Sequence, residues 1–572
     1  MRRSRLAALA VIGVLVAAFA PAATARPAPG SPAVEKAQTT EIQILGLNDF
    51  HGQLEPVPST SSGGRIGATP AGGVEYLATH VRDLRATNPN TLFVSAGDLI
   101  GATPLISALF HDEPTIEAFN LMALDYNGVG NHEFDEGVDE LLRMQNGGCH
   151  PVDGCLDGDP FHGADFQFLA ANVAYKDTGE TIFPPYAIHH FPGVKIAIVG
   201  MTLEGTPSIV TPAGISHVNF FDEADSVNAL VPHLRQQGIE TIIVLLHEGG
   251  SVTGGLNETT INQCNSPSGA LPPIVERMDD AIDVVITGHT NWAVNCIIDG
   301  KVVTGAAATG RLITDIDLTI NRATKNPVQI LVNNKIVTQT VPKAPDLTAL
   351  VTKYKTLSAP LANRVVGNIT ADITRTQNAA GESSLGNLIA DSQYLATKDA
   401  GFGEAVVAFM NPGGIRADLT YPSSPAGEGD GVVTYGEIFT VQPFGNSLVT
   451  MTLTGAQIDT LLEQQFDNPV VGQRRMLQIS DTLRYSWSAS APTGSKVDVA
   501  SIMIGGVPIN PAASYRVTVN SFLADGGDLF SVLSLGTNRL GGDVDLDAVE
   551  KYFNAQVGPV APPAQNRITM LP

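Results

Sequence analysis

Five short polar motifs occur in a fixed order in the first half of this 572-residue chain, and their side chains are of types that bind metal ions. They are Asp49-Phe50-His51, Gly97-Asp98, Gly130-Asn131-His132-Glu133, His247-Glu248-Gly249-Gly250 and Gly288-His289-Thr290-Asn291, with Asp135 following the third. Mixed carboxylate, amide and imidazole donors suit Zn, Mn or a similar cation rather than a thiolate-bound structural zinc. The candidate donors are Asp49, His51, Asp98, Asn131, His247, His289 and Asn291. Because seven donors are too many for one tetrahedral ion, the set predicts two divalent ions about 3.5–4 Å apart, bridged by Asp98.

A short apolar run precedes each of these motifs and has the composition of a buried strand. The runs are Ile42–Leu47, Thr91–Ser95, Tyr126–Val129, Thr241–Leu246 and Ile282–Thr287. Short runs rich in Ile, Val and Leu are typical of central strands that are covered on both faces. Polar residues at the carboxyl ends of such strands converge on one rim of the sheet, where ligands bind. The sequence therefore predicts that the five motifs meet at one site.

The chain has other histidines, and a single histidine is more often a structural or surface residue than a metal ligand. We give that interpretation to His80, His111, His150, His162, His189, His190, His217 and His233. The histidines of the ordered motifs differ because each one follows an apolar run together with a second polar residue.

The N-terminus has the pattern of a secretory signal peptide over residues 1–25. Arg2, Arg3 and Arg5 form a charged region, Leu6 to Phe19 is apolar, and Ala23-Thr24-Ala25 is a small-residue cleavage site. The alternative is a membrane anchor, but the apolar stretch is short for a membrane span and ends at Pro21. Residues 26–40 are rich in Pro, Ala and Thr and predict a disordered linker. We expect a secreted or cell-envelope protein without stable membrane insertion.

The acidic character of the chain bears on its partners. Removal of residues 1–25 would move the formal charge from −24 to −27. Such a surface argues against nucleic acid as the primary partner. It does not exclude a small anionic substrate, because bound cations dominate the field of a metal site.

Cysteine is rare, with only four residues in the chain. An even number in an exported protein suggests two disulfides, most simply Cys149 with Cys155 and Cys264 with Cys296. Four free thiols are the alternative, and a cysteine-rich zinc site is a poorer one.

The length exceeds what one hydrophobic core supports, so two or three domains are expected. Residues 41–340 alternate strands with helical stretches, which predicts an α/β domain. At its end, Lys301–Gly305, Arg311–Ile320 and Pro327–Gln339 predict a β meander that closes the domain as a second sheet. Residues 341–363 predict an interdomain linker helix, and residues 364–560 predict an α+β domain.

The phrases Asn48-Asp49-Phe50-His51-Gly52 and Gly130-Asn131-His132-Glu133-Phe134-Asp135 resemble the exported 5′-nucleotidase/UDP-sugar hydrolase family of calcineurin-type metallophosphoesterases. The resemblance spans about residues 41–555. It implies a four-layer α/β/β/α metallophosphoesterase domain followed by an α+β nucleotide-binding domain. In that family, the first ion binds the residues that match Asp49, His51, Asp98 and Asn291. The second ion binds those that match Asp98, Asn131, His247 and His289.

The resemblance also implies a catalytic pair, His132 and Asp135. A carboxylate orients an imidazole and favours its protonated form. The imidazolium could then stabilise charge on the transferring phosphoryl group. Glu133 is expected to be structural, with its side chain directed away from the ions.

Three segments of the second half resemble the family's nucleotide-recognition parts. They are Asn411-Pro412-Gly413-Gly414-Ile415-Arg416, Gln442-Pro443-Phe444-Gly445-Asn446 and Asn520-Ser521-Phe522-Leu523-Ala524-Asp525-Gly526-Gly527-Asp528. The resemblance implies that Phe444 and Phe522 sandwich the base, and that Asn411, Arg416 and Asp528 contact the rest of the nucleotide. Stacking on aromatic rings tolerates different bases, so broad base specificity is expected. Core packing is the alternative role for both phenylalanines.

One position departs from the family pattern: Gly381 stands where the family often has Arg, and Arg375 is a possible substitute. The predicted function is a secreted, metal-dependent 5′-nucleotidase. A 2′,3′-cyclic-nucleotide 2′-phosphodiesterase/3′-nucleotidase and a UDP-sugar hydrolase are alternatives with the same metal motifs. A non-catalytic metal-binding surface protein is an alternative of another class, which would be expected to have lost ligands or the His132–Asp135 pair.

Overall fold

The structure is a computed structural model that describes residues 38–59, 62–210, 212–253, 255–264, 266–424 and 427–572. The predicted signal peptide and most of the predicted linker lie outside these ranges. The first strand begins at Thr39, so the last residues of the predicted disordered linker instead belong to a sheet. Within the described ranges, no helix combines the length and apolar character that a membrane crossing requires.

Strands and helices alternate in the first half of the chain. The strands are β1 (Thr39–Leu47), β2 (Arg65–Ile66), β3 (Thr69–Pro70), β4 (Thr91–Ser95), β5 (Tyr126–Gly128), β6 (Gln167–Leu169), β7 (Val173–Tyr175), β8 (Tyr186–Phe191), β9 (Val194–Thr202), β10 (Val218–Phe220), β11 (Thr241–His247), β12 (Ile282–Thr287), β13 (Ala293–Ile298), β14 (Lys301–Ala306), β15 (Leu312–Asn321) and β16 (Pro327–Ile336). The helices are α1 (Val74–Arg85), α2 (Leu105–Ala108), α3 (Glu113–Leu121), α4 (Val138–Asn146), α5 (Glu223–Gln236), α6 (Leu271–Arg277) and α7 (Pro345–Ala362).

Two six-stranded sheets pack face to face and bury an aliphatic core between them. Their strand orders are β16-β15-β1-β4-β5-β6 and β13-β14-β12-β11-β9-β8. Strand β11 shows how the layers form, because Ile243 and Leu245 enter the core between the sheets while Ile242 and Val244 face the helices outside. Residues of α1, α3 and α4 bury their apolar faces on the first sheet, and residues of α5 and α6 on the second. The four-layer α/β/β/α prediction is confirmed.

The predicted β meander is wrong in its pairing. Strand β14 pairs in parallel with β12 in the second sheet, whereas β15 pairs antiparallel with β1 in the first. The last strands are thus divided between the two sheets and do not form a sheet of their own. An apolar run shows that a strand is buried, but its partner is chosen by register and packing across the whole domain.

The second half is the predicted α+β domain. Its strands are β17 (Val365–Asn368), β18 (Val407–Met410), β19 (Val432–Thr434), β20 (Ser447–Thr454), β21 (Gln478–Ile479), β22 (Leu483–Ser488), β23 (Val497–Ile504), β24 (Val507–Pro508), β25 (Ser514–Asn520), β26 (Thr537–Val544) and β27 (Ile568–Leu571). Its helices are α8 (Ser384–Thr397), α9 (Tyr435–Val441), α10 (Gly455–Glu463), α11 (Ser521–Ala524) and α12 (Asp545–Asn554). The main sheet has the order β21-β18-β25-β20-β26, and a second has the order β24-β23-β22-β27.

The linker helix α7 packs onto the first half of the molecule. Leu347 and Tyr354 are fully buried in the same core as α1 and α3. The hydroxyl of Tyr354 donates to Glu117 at 2.9 Å and to Asp157 at 3.0 Å. The helix is therefore an extension of the first domain, and the chain enters the second domain just after it.

Both cysteine pairs are joined as disulfides, Cys149 with Cys155 and Cys264 with Cys296. The Cα atoms are 4.7 Å apart in each pair, a distance that a disulfide spans. The first closes a small loop after α4, and the second ties the segment after β11 to β13.

Candidate active site

The polar motifs lie at one rim of the two-sheet core because their strands run in parallel. Strands β1, β4 and β5 are parallel neighbours in one sheet, and β11 and β12 are parallel neighbours in the other. His247 is the last residue of β11, and the other motifs begin within three residues of a strand end. The sequence-based expectation that these side chains meet matches their placement.

The backbone at the site is strained. Asp49, His51, Asp98, His289 and Asn291 all have a positive φ, between 49° and 68°. Non-glycine residues in this region cost about 1–3 kcal/mol each and cluster at functional sites. Packing and hydrogen bonds in the surrounding fold offset this cost, and they hold the side chains in one arrangement.

Two glycines let the loops approach each other. A Cβ on Gly97 would lie 2.6 Å from the backbone nitrogen of Gly130, and a Cβ on Gly130 would lie 2.2 Å from Oδ1 of Asp98. Any larger residue would push the loops that follow β4 and β5 apart and move Asp98.

Asp98 lies at the centre of the candidate ligands. Its Oδ2 is 3.0 Å from Nε2 of His247 and 3.7 Å from Nε2 of His51. Its Oδ1 accepts a hydrogen bond from the backbone nitrogen of His132 at 2.9 Å. A carboxylate that lies between two histidines is in the position expected for a ligand shared by two ions.

Backbone carbonyls orient the imidazoles. Nδ1 of His51 is 2.9 Å from the carbonyl oxygen of Gly101, and Nδ1 of His247 is 2.7 Å from that of Ala96. A carbonyl only accepts, so Nδ1 carries a proton in both rings, and Nε2 of each ring is directed toward Asp98, where it could bind a cation. Histidines that bind metals are usually held in this way.

Asn131 connects the remaining ligands. Its Oδ1 is 3.2 Å from Nε2 of His247 and 2.9 Å from Nδ1 of His289. Two groups of ligand atoms are compact enough to surround a cation, one formed by His51, Asp98 and His132 and one formed by Asp98, His247 and His289.

Asp49 shows that this donor set fits a cation. Its side chain is fully buried, and among the described residues no hydrogen bond satisfies its Oδ1. That oxygen is 4.0 Å from the Nε2 lone pair of His51. Burial raises the pKa of Asp49 to about 7. A buried carboxylate oxygen beside a nitrogen lone pair is costly unless a positive charge lies between them.

Asn291 is placed differently from the other six candidate ligands. Its side chain is exposed, and no hydrogen bond within the described ranges joins it to them. Its role as a ligand of the first ion stays a prediction.

His132 and Asp135 form the predicted pair, with Nδ1 of His132 2.8 Å from Oδ2 of Asp135. Burial alone would lower the pKa of His132, but the charges of Asp135 and Asp98 outweigh it and raise the pKa. Glu133 has a structural position. Its carboxylate accepts hydrogen bonds from the backbone nitrogens of Asp98, Leu99 and Gly130, at 2.7 to 2.9 Å.

A pocket of about 260 Å³ joins the two halves of the molecule beside these residues. Predicted site residues from both halves line it: Asn131, His132, Asp135, His289, Asn411, Arg416, Phe444, Phe522 and Asp528. The metal centre and the nucleotide-recognition segments therefore share one cavity.

Phe444 lies across the domain boundary from the metal centre. Its ring is stacked on that of His132, with centroids 5.8 Å apart and an interplanar angle of 18°. The guanidinium of Arg416 lies 5.9 Å from the same ring. Phe444 and Phe522 are both only partly buried. Their exposure to the cavity favours a stacking role over core packing.

Arg475 lines the pocket and was not identified from the sequence. It donates to Oδ1 of Asp528 at 2.5 Å, while Nδ2 of Asn411 donates to Oδ2 of Asp528 at 2.7 Å. Both oxygens of the buried Asp528 are thus held. Arg475 lies outside the three segments that resemble nucleotide-recognition parts, so only the folded chain brings it to the pocket.

Gly381 cannot simply be exchanged for Arg in this structure. Its φ is +93°, and a Cβ would lie 2.3 Å from the side chain of Met476. Arg375, the possible substitute, donates to the backbone oxygen of Arg416 at 2.6 Å. It supports the segment that carries Arg416, and it is not among the residues that line the pocket.

Two family models match the chain. The one described as calcineurin-like phosphoesterase matches residues 42–292, and the one described as 5′-nucleotidase, C-terminal domain matches residues 365–535. These ranges are shorter than the predicted domains, 41–340 and 364–560, whose bounds stay predictions.

Known proteins are similar over almost the whole chain. The endonuclease YhcR of Bacillus subtilis is 32% identical over 92% of this chain, which spans only 41% of that protein. The cell wall protein Lmo0130 of Listeria monocytogenes is 32% identical over 93% of this chain, which spans 69% of that protein. The crystal structure of a 5′-nucleotidase precursor from Thermus thermophilus is 26% identical with a TM-score of 0.73, covering 93% of this chain and 99% of that one.

Proposed function

The chain belongs to the 5′-nucleotidase family of calcineurin-like phosphoesterases and hydrolyses phosphoester bonds, and from that premise we propose that it is an exported 5′-nucleotidase with broad base specificity. One observation carries the proposal. A single cavity runs from His132 and His289, beside the candidate metal ligands, to Phe444, Phe522 and Asp528. The end near His132 and His289 would hold the phosphate of a nucleotide, and the end near Phe444, Phe522 and Asp528 would hold its base and ribose.

At the phosphate end, two divalent cations held by the candidate ligands would act as Lewis acids and activate the attacking water. His132 uses Nδ1 for its bond to Asp135, which leaves Nε2 free to donate to the phosphoryl group. Donors that are already oriented stabilise charge as it develops in the transition state. Arg416 adds a second positive charge from the other domain.

At the base end, Phe444 and Phe522 are proposed to stack on the base, which contributes about 1–3 kcal/mol and tolerates different bases. Asp528 and Asn411 are proposed to bind the ribose hydroxyls, since a carboxylate accepts and an amide can donate. Both side chains are almost fully buried, at 5% and 3% exposure, and are held in place before a substrate arrives.

Export is proposed on three grounds. The N-terminal residues have the signal-peptide pattern, although they lie outside the described ranges. The chain has two disulfides, which persist mainly in oxidising compartments. One relative is named a cell wall protein.

The test is chromatographic analysis of all products, together with phosphate release, from a panel of substrates with Mn, Zn, Co and Mg added separately. The panel contains 5′-, 3′- and 2′,3′-cyclic nucleotides, nucleoside di- and triphosphates, UDP-glucose and a short oligonucleotide. We expect the highest kcat/KM for 5′-mononucleotides, with little dependence on the base. Asp98→Asn serves as the inactive control.

Each other outcome identifies a different function. A preference for cyclic nucleotides or UDP-glucose would replace the proposal with one of the alternatives in the same fold. Cleavage of the oligonucleotide would assign the activity for which the Bacillus relative is named, despite the acidic surface. Absence of every hydrolysis product with every metal would favour a non-catalytic metal-binding surface protein.

A further inference from the structure

We propose that the protein has a third divalent-cation site at the rim of the pocket, formed by His111, His150 and Asp153, with Glu136 supporting His111. Sequence reasoning assigned both histidines to structural or surface roles, because each one is isolated in the chain. The fold brings them together from two segments, with imidazole rings stacked 3.8 Å apart at an angle of 17°.

The donor atoms already have the spacing that a small cation needs. Oδ2 of Asp153 is 3.0 Å from Nε2 of His111 and 3.3 Å from Nδ1 of His150, and the three atoms all lie within 4.8 Å of one another. Metal–ligand bonds of about 2.0–2.2 Å in a tetrahedron place neighbouring donors about 3.3 Å apart. The two distances from Asp153 are thus within about 0.3 Å of this spacing, and the two histidine nitrogens are at most 4.8 Å apart.

The other nitrogen of His111 has the partner that metal-binding histidines require. Its Nδ1 is 2.9 Å from Oε2 of Glu136. A carboxylate on the far nitrogen fixes the tautomer and makes the imidazole a stronger ligand. The same arrangement leaves Nε2 of His111 to face Asp153.

His150 also directs a lone pair at the site. Its Nδ1 accepts a hydrogen bond from the backbone nitrogen of Asp153 at 3.1 Å, so this nitrogen is unprotonated in that geometry. The lone pair and the Asp153 carboxylate face each other, and a cation between them would remove their repulsion.

The loop that supplies His150 and Asp153 is preorganised. The Cys149–Cys155 disulfide closes it, and Gly154 donates from its backbone nitrogen to the carbonyl of His150 at 2.9 Å. The two side chains are 15% and 47% exposed, so an ion can reach them from solvent.

The site adjoins the catalytic residues. Glu136 directly follows Asp135, and His111 directly precedes Asp112, which accepts a hydrogen bond from the backbone nitrogen of Gly101 at 3.0 Å. The carbonyl of Gly101 in turn orients His51. A bound ion would tie the disulfide loop to the two segments that carry these active-site residues.

The test is the zinc content of the full-length protein after removal of metal with a chelator and equilibrium dialysis against buffered zinc. We expect three ions per wild-type chain and two per chain for His150→Ala and for Asp153→Ala. His162→Ala, an exposed histidine a few residues beyond the loop, should keep three. Melting temperatures in EDTA should be the same for the wild-type protein and all three variants. The increase in melting temperature on addition of zinc should be smaller for His150→Ala and Asp153→Ala than for the wild-type protein.

The Asp98→Asn variant separates this site from the active site, because it should lose active-site ions and keep the rim ion. A zinc content that is the same in the wild-type protein, His150→Ala and Asp153→Ala would overturn the inference, whatever number of ions the active site holds. A variant whose melting temperature falls in EDTA would be replaced by His150→Phe, which keeps a ring beside His111 but offers no ligand atom, and for which the same loss of one ion is expected. Nucleotide hydrolysis by a protein whose zinc content is the same in all three forms would leave the proposed function intact and refute this site alone.

Discussion

Candidate metal ligands and candidate nucleotide-binding residues line one cavity, yet they are held in different ways. Asp49, Asp98 and His247 are at most 1% exposed. Backbone groups of the same domain form hydrogen bonds with the side chains of Asp98 and His247. Phe444, Phe522 and Arg416 are only partly buried; Phe444 and Arg416 lie on loops beside Gly and Pro, and Phe522 lies in the short helix α11. The nearest ring to Phe444 in the cavity belongs to His132, in the other domain.

This contrast has a functional meaning. One domain holds the reactive groups rigidly, as catalysis requires. The base platform depends on how the two domains meet, and the chain crosses between them only after α7. Substitutions at the metal centre should therefore abolish turnover, whereas substitutions in the pocket should change substrate binding.

The largest effect is expected for Asp98→Asn, because a bridging carboxylate serves both ions. Turnover should fall further than after loss of any single terminal ligand, such as His51→Ala. Metal content and kcat should be measured on the same sample. A variant that keeps two ions and near-normal turnover would refute the bridging role.

His132→Ala should leave both ions bound and lower kcat by about 10²–10³, as expected for loss of one group that stabilises transition-state charge. Asp135→Asn should act in the same direction but more weakly, since it removes only the orienting partner. If His132→Ala loses an ion, the imidazole is a metal ligand and the assigned role is wrong.

Phe444→Ala and Phe522→Ala should each raise KM for nucleotides by about 5- to 150-fold, the equivalent of about 1–3 kcal/mol of stacking. Hydrolysis of p-nitrophenyl phosphate should change little, because it lacks a base and the platform binds ground and transition states alike. Phe402→Ala, at a ring that is 60% exposed, is the matched control. Equal losses on both substrates would indicate core packing.

The smallest effect is expected for Arg475→Gln, which removes one of the two partners of Asp528. KM for nucleotides should rise several-fold, because the ribose acceptor is less well oriented, and p-nitrophenyl phosphate should be unaffected. Arg474→Gln is the neighbouring control, since that guanidinium lies 5.1 Å from the ring of Trp487 instead. A change in kcat on p-nitrophenyl phosphate would place Arg475 in the phosphate end of the pocket.

The four-layer fold was predicted from the family resemblance of the motifs, whereas the strand patterns by themselves predicted that the candidate ligands meet, as six of the seven do. The reason is that these residues follow buried parallel strands within a few positions, so the strand direction fixes where they lie. The His132–Asp135 contact was predicted from the family resemblance, and the structure places the two side chains in hydrogen-bond contact.

Only the tertiary structure decided the features that depend on distant segments. It divided β14 and β15 between two sheets, left the side chain of Asn291 exposed, brought Arg475 to Asp528 and stacked Phe444 on His132. It also joined His111 to His150 and Asp153, where the chain shows only isolated histidines. Such contacts follow from strand register and from packing between loops and domains, which act over separations that local residue patterns do not record.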